Sequence, residues 1–139
     1  MTLVVATGVF ELIHPGHILF LAEARKLGSK LAVIVARDST AYKRKRRSHV
    51  PERQRLEMVK SLRMVDEAIL GDENDMFKPI TALKPDILAL GFDQDFDEKE
   101  LTEEFKKRGL NTRIVRLNAV HAGELSSSKK IIEHIRKKE

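Results

Sequence analysis

Cysteine is absent from the 139 residues, which removes disulfides, zinc-thiolate sites and thiol nucleophiles from consideration together. Tryptophan is absent too, aromatic residues make up 5% of the chain, and there is a single tyrosine, Tyr42. So few rings offer little with which to stack nucleic-acid bases, or to cage a quaternary ammonium such as that of choline phosphate. No apolar run reaches the roughly 18 residues of a transmembrane helix. MTLVVATGVF, at the start, lacks the basic region and cleavage site of a secretory signal. We therefore expect a cytoplasmic protein with no membrane partner. There is also no internal repeat, low-complexity tract or linker, so residues 1–139 are expected to form one domain.

What is present is an alternation. Thr2 to Thr7 and Leu31 to Ala36 are β-branched-rich runs suited to strands buried on both faces. Between them, Ile18 to Leu27 places Phe20, Leu21, Ala24 and Leu27 at helical spacing, with Gly28 positioned as a C-cap. Pro51 suits the first position of a second helix carrying Leu56, Val59 and Leu62. A strand at Glu67 to Leu70 follows, then a helix near Met76 to Leu83 and a strand at Ile87 to Leu90. A charged helix at Glu98 to Lys107 has Gly109 behind it, and after a strand at Arg113 to Leu117 the helix Ser126 to Lys137 closes the chain. The pattern predicts an α/β fold, a single doubly wound parallel sheet of about five strands.

In such a sheet ligands collect beyond the carboxyl ends of the strands, near a topological switch point. Four irregular polar segments are predicted to share that rim: GVFELIHPGH, RDSTAYKRKRR, GFDQDF and the stretch to LSSSKK. In the first, Gly8 would admit a close approach, Pro15 and Gly16 would shape a tight entry, and His17 would stand at a helix N-terminus that favours an anion. Two imidazoles, His14 and His17, are suited to donate to phosphate oxygens. A metal site would need a third ligand, and His49, His121 and His134 stand in no recognisable motif; a purely structural pair is the other alternative. The run YKRKRRSH carries much of the +5 net charge, which suits a polyanionic guest, a nucleic acid or simply a solvated face. Asp93 would accept from a ribose or base, or else cap a turn. Ser126, Ser127 and Ser128 would contact phosphate or cap a helix. Arg116 is either a phosphate contact or a surface arginine.

HPGH matches the HxGH motif of the nucleotidylyltransferase superfamily, and GVFELIHPGH resembles the GTFDxLHxGH form of its cytidylyltransferase-like branch. With VARDST, PERQRLEMVKSLRMVDEAILGD, KPDILALGFDQ and SSSKKII in that order, nearly the whole chain is similar to the archaeal-type FAD synthases. Val9 stands where Thr is usual and Glu11 where Asp is usual. The resemblance implies transfer of AMP from ATP to FMN, giving FAD and pyrophosphate. The alternative is a cytidylyltransferase acting on CTP and a small phosphorylated alcohol such as glycerol 3-phosphate. It implies catalytic roles for His14, His17 and Lys43, with Lys45 nearby, and nucleotide contacts from Val9, Phe10, His14, Pro15, Gly16, His17, Asp93, Arg116, Ser126 and Ser127. Mg²⁺ would travel with the triphosphate, with no protein metal site, and the partners would be ATP and FMN, with no nucleic acid and with a homodimer as the expected assembly. Phe92 and Phe96 are candidates for a flavin slot.

Overall fold

The computed structural model describes residues 1–45, 50–118, 123, 125 and 127–138. Strands β1 (Leu3–Gly8), β2 (Lys30–Val35), β3 (Glu67–Leu70), β4 (Ile87–Leu90) and β5 (Arg113–Arg116) form one sheet in the order β3-β2-β1-β4-β5. Every neighbouring pair is parallel, so the expected doubly wound α/β sheet is the observed one. Helices α1 (Pro15–Arg25), α2 (Asp38–Lys45), α3 (Glu52–Lys60), α4 (Phe77–Leu83), α5 (Glu98–Lys107) and α6 (Ser128–Lys138) make the connections and close the chain. Among the described residues no helix is long and apolar enough to cross a membrane.

The period of two along each strand decides which side chain meets which helix. Val4, Ala6, Leu31, Val33, Val35, Ile87 and Ala89 face one way and pack with Leu21 and Ala24 of α1 and Val59 of α3. Val5, Ala32, Ile34, Leu88 and Leu90 face the other way, onto Ile80 of α4 and Leu101 and Phe105 of α5. Strands apolar on both sides are thus buried on both sides. The winding direction reverses between β1 and β4, and the segments that follow these two strands flank the crevice that results.

Two local expectations are corrected. The segment after β2 is helical from Asp38 to Lys45, although it lacks an apolar stripe and buries only Ala41 among its described side chains. Its first turn is held instead by polar contacts described below. Gly28 does not cap α1, which ends at Lys26 in ordinary right-handed geometry. A Cβ on Gly28 would lie 2.6 Å from the Thr2 carbonyl oxygen and 2.8 Å from Val4 Cγ2, so glycine is needed there for close packing. Gly109, behind α5, does take the left-handed conformation expected of a C-cap, with φ of 74° and open space around its Cα.

The two glycines should therefore respond differently to alanine. Gly28→Ala meets backbone that cannot give way and should cost about 2 kcal/mol or more. Gly109→Ala should cost about 1 kcal/mol of backbone strain. Urea denaturation of both variants checks this; equal costs would return Gly28 to a capping role.

Candidate active site

The start of α1 accounts for all of its exposed N–H groups locally, a requirement at every helix N-terminus. Pro15, at the first helical position, has no N–H to satisfy. The Gly16 N–H donates to His14 Nδ1 at 3.1 Å, and the His14 N–H donates to His17 Nδ1 at 3.3 Å. The His17 N–H donates to the His14 carbonyl at 3.0 Å. This is a capping box in which two imidazoles replace the usual hydroxyl and carboxamide. Since both Nδ1 atoms accept, each neutral ring carries its proton on Nε2. The rings stack with centroids 3.7 Å apart, so the pair offers two N–H donors from one face of the rim. The backbone N–H groups at this N-terminus are thus engaged within the turn, and what the helix end itself presents to an anion is the positive end of its dipole.

Behind this pair lies Phe10, buried and tilted against His17 with ring centroids 5.2 Å apart. Phe10 has φ of 53°, a conformation that is costly for a bulky residue and held only where packing over-determines it. Its ring fills the space beside Gly8, where a Cβ would lie 2.8 Å from Phe10 Cε2. Gly8 therefore makes room for the Phe10 ring.

Beneath the rim sits Arg55, 1% exposed. It donates through Nε to the Val50 carbonyl at 2.9 Å, through one terminal nitrogen to the Val9 carbonyl at 2.7 Å, and through the other to Asp38 Oδ1 at 2.8 Å. One guanidinium thus ties the histidine loop to the first turn of α2 and to α3. Next to it, Arg37 donates to Glu52 at 2.9 Å and to the Gly71 carbonyl at 2.8 Å, and the Asp38 N–H donates to Glu52 Oε1 at 2.9 Å. Sequence reasoning assigned no individual role to Arg37, Asp38, Glu52 or Arg55. The available signal was Arg55 itself, an arginine four residues before the buried Val59 on the inward face of α3.

The other expected residues fall as follows. Lys43 is exposed on α2, a helix rather than a loop. Pro15 is exposed at the head of α1. Asp93 is exposed beyond β4, in a turn closed by Gln94, whose side chain accepts from the Gly91 N–H at 2.8 Å and donates to the Thr7 carbonyl at 3.1 Å. Arg116 is drawn beneath that turn: it donates to the carbonyls of Gly91, Gln94 and Phe96 at 2.8 to 2.9 Å. Its guanidinium shapes the rim, which neither sequence reading anticipated. Ser127 Oγ accepts from the Lys130 N–H at 3.1 Å, an N-cap for α6. Ser126 lies outside the described residues. Among those described, no three of His, Asp and Glu gather as a metal site.

The cytidylyltransferase-like family model matches residues 5–134 of the chain. The chain is 59% identical over 135 residues to an FAD synthase of Archaeoglobus profundus, covering 97% of this chain and 86% of that relative. It is 56% identical over 135 residues to an FAD synthase of Methanohalophilus mahii, with coverages of 97% and 94%. A solved structure from Thermoplasma volcanium, described as a lipopolysaccharide core biosynthesis protein, aligns with a TM-score of 0.84 and 47% identity over 87% of this chain and 99% of that one.

The polar layer under the rim should register acid directly. The Asp38 backbone N–H and the Arg37 guanidinium hold the Glu52 carboxyl below its ordinary value of 4.5 against the opposing effect of burial. Its stabilising contribution is present above the unfolded value and is lost as pH falls through the lower folded value. The melting temperature of the wild type should exceed that of Glu52→Gln at neutral pH, and the gap should close below about pH 4.5. A gap that stays constant down to acid pH would mean that the carboxylate charge adds nothing.

Proposed function

The chain belongs to the cytidylyltransferase-like family, and from that premise we propose that it is an FAD synthase. It is a nucleotidyltransferase that transfers AMP from ATP to FMN, giving FAD and pyrophosphate. The named relatives, at 59% and 56% identity over nearly the whole chain, support this acceptor over the CTP and glycerol 3-phosphate alternative. The observation on which the chemistry rests is the stacked His14 and His17 pair, with each Nδ1 committed to a backbone N–H.

In the reaction an FMN phosphate oxygen attacks the α-phosphorus of ATP, the bond from that phosphorus to the bridging oxygen breaks, and pyrophosphate leaves with the electron pair. The protein has little covalent work to do, so positioning and charge stabilisation dominate. The Nε2–H groups of His14 and His17 donate to phosphate oxygens as negative charge builds, already oriented by the capping box. Lys43 contributes a positive charge from α2. Asp93 and the turn it occupies receive the ribose or base, while Val9, Pro15 and Gly16 line the phosphate approach. A divalent cation, Mg²⁺ in this reading, would neutralise triphosphate charge when it enters with the nucleotide, held mainly by phosphate oxygens and water.

Purified protein with ATP, Mg²⁺ and FMN should form FAD and release pyrophosphate in equal amounts, read by chromatography and by quenching of flavin fluorescence. In His17→Asn the amide oxygen can still accept the His14 N–H while the Nε2–H donor is gone, so kcat should fall about 100-fold. Lys43→Ala should be severely impaired, whereas Lys106→Ala, exposed on α5, should match the wild type. Consumption of CTP with glycerol 3-phosphate and not of ATP with FMN would overturn the proposed function. Unchanged kcat in His17→Asn would remove the pair from the mechanism.

A further inference from the structure

The sequence of α1, PGHILFLAEAR, is apolar on more than the side it buries. Leu21 and Ala24 are fully covered by the core, with Phe20 packed against it. Pro15, Ile18, Leu19 and Ala22 follow the i, i+3, i+4, i+7 spacing of a second stripe. A surface helix normally keeps such a stripe polar, and an apolar one marks a binding surface. Here the stripe lines a shallow, open groove of about 600 Å³ bounded by Ile13, His14, Pro15, Ile18, Leu19 and Ala22, which suits a flat ring laid against the helix with one face left to solvent.

We infer that this groove receives the isoalloxazine ring of FMN, an inference that rests on the proposed FAD synthase activity. His14 belongs both to the phosphate-facing pair and to the groove wall, so a ligand with a phosphate at the rim and an apolar ring beyond it spans the two without a break. From Pro15 to Ala22 the helix advances about 10 Å, the long dimension of three fused six-membered rings. A second cavity is unsuitable, because Asp95, Asp97, Glu100 and Glu104 line it and repel a phosphate monoester. Of the aromatic candidates, Phe96 packs into the core on the α4 and α5 side, and Phe92 stands exposed on the far side of the crevice.

The test separates ring binding from nucleotide binding by steady-state kinetics on Leu19→Glu and Ala22→Trp, with Ile18→Ser as a milder change and thermal melting to confirm folding. The KM for FMN should rise about tenfold or more, while the KM for ATP and kcat at saturating FMN stay within about twofold of wild type. An unchanged KM for FMN, or equal rises for both substrates, in folded variants of an active enzyme would overturn the groove assignment. So would a shift in sedimentation from dimer to monomer with KM unchanged, which would make the groove a contact between copies. A wild type that makes no FAD would instead overturn the functional reading, and the ring assignment with it.

Discussion

Two imidazole nitrogens hold the start of α1, and the layout of the rim follows from that. A helix beginning with proline still has to satisfy the N–H groups on either side of it. Here they go to His14 and His17 Nδ1. The consequence is chemical as well as structural: a neutral imidazole that accepts at Nδ1 carries its proton at Nε2, so capping the helix also chooses the tautomer. The ring stack and the Phe10 ring behind His17 then restrict rotation. The left-handed backbone of Phe10 is the cost of bringing that ring under the pair.

The second constraint is electrostatic and lies one layer deeper. Desolvating a guanidinium is expensive, and a buried arginine persists where its N–H groups are satisfied. Arg55 achieves this with two carbonyls and one carboxylate drawn from three segments. Truncating Arg55 would leave the Val50 and Val9 carbonyls without this donor, while the half-exposed Asp38 carboxylate could turn to water. The same contacts set the position of Val9 relative to Asp38, hence of the histidine loop relative to the helix that carries Lys43. Arg116 has a comparable part at the other side of the crevice, where it gathers the carbonyls of the turn that presents Asp93. Both arginines act through the backbone they hold in place.

Much of the fold was legible because burial on both faces leaves an unmistakable mark: runs such as Leu31 to Val35 have no polar alternation to confuse them. The helix α2 was not legible, since DSTAYKRK has no apolar stripe and its first turn is stabilised by Glu52 and Arg55, residues distant in sequence. Nothing local in the sequence shows that Gly28 is required by the Thr2 carbonyl and Gly8 by the Phe10 ring, because both neighbours are brought in by the fold. At the site, HPGH singled out the histidine pair through residue type and spacing, and the structure stacks the two rings at the head of α1. Arg55 and Arg116 did not, because a clamp is defined by what it reaches across the chain and leaves no local pattern. The groove on α1 was visible in PGHILFLAEAR only as excess apolarity, which becomes informative once the opposite side is known to be the buried one.

If the capping box sets the tautomer of both histidines before any substrate arrives, long-range proton-nitrogen correlation NMR on histidine-labelled protein at mildly alkaline pH will show it, with His14→Asn and His17→Asn to assign the two rings. His14 and His17 should both show a protonated Nε2 and an unprotonated, hydrogen-bonded Nδ1. A protonated Nδ1 on either ring, or rapid averaging between tautomers in both, would refute this.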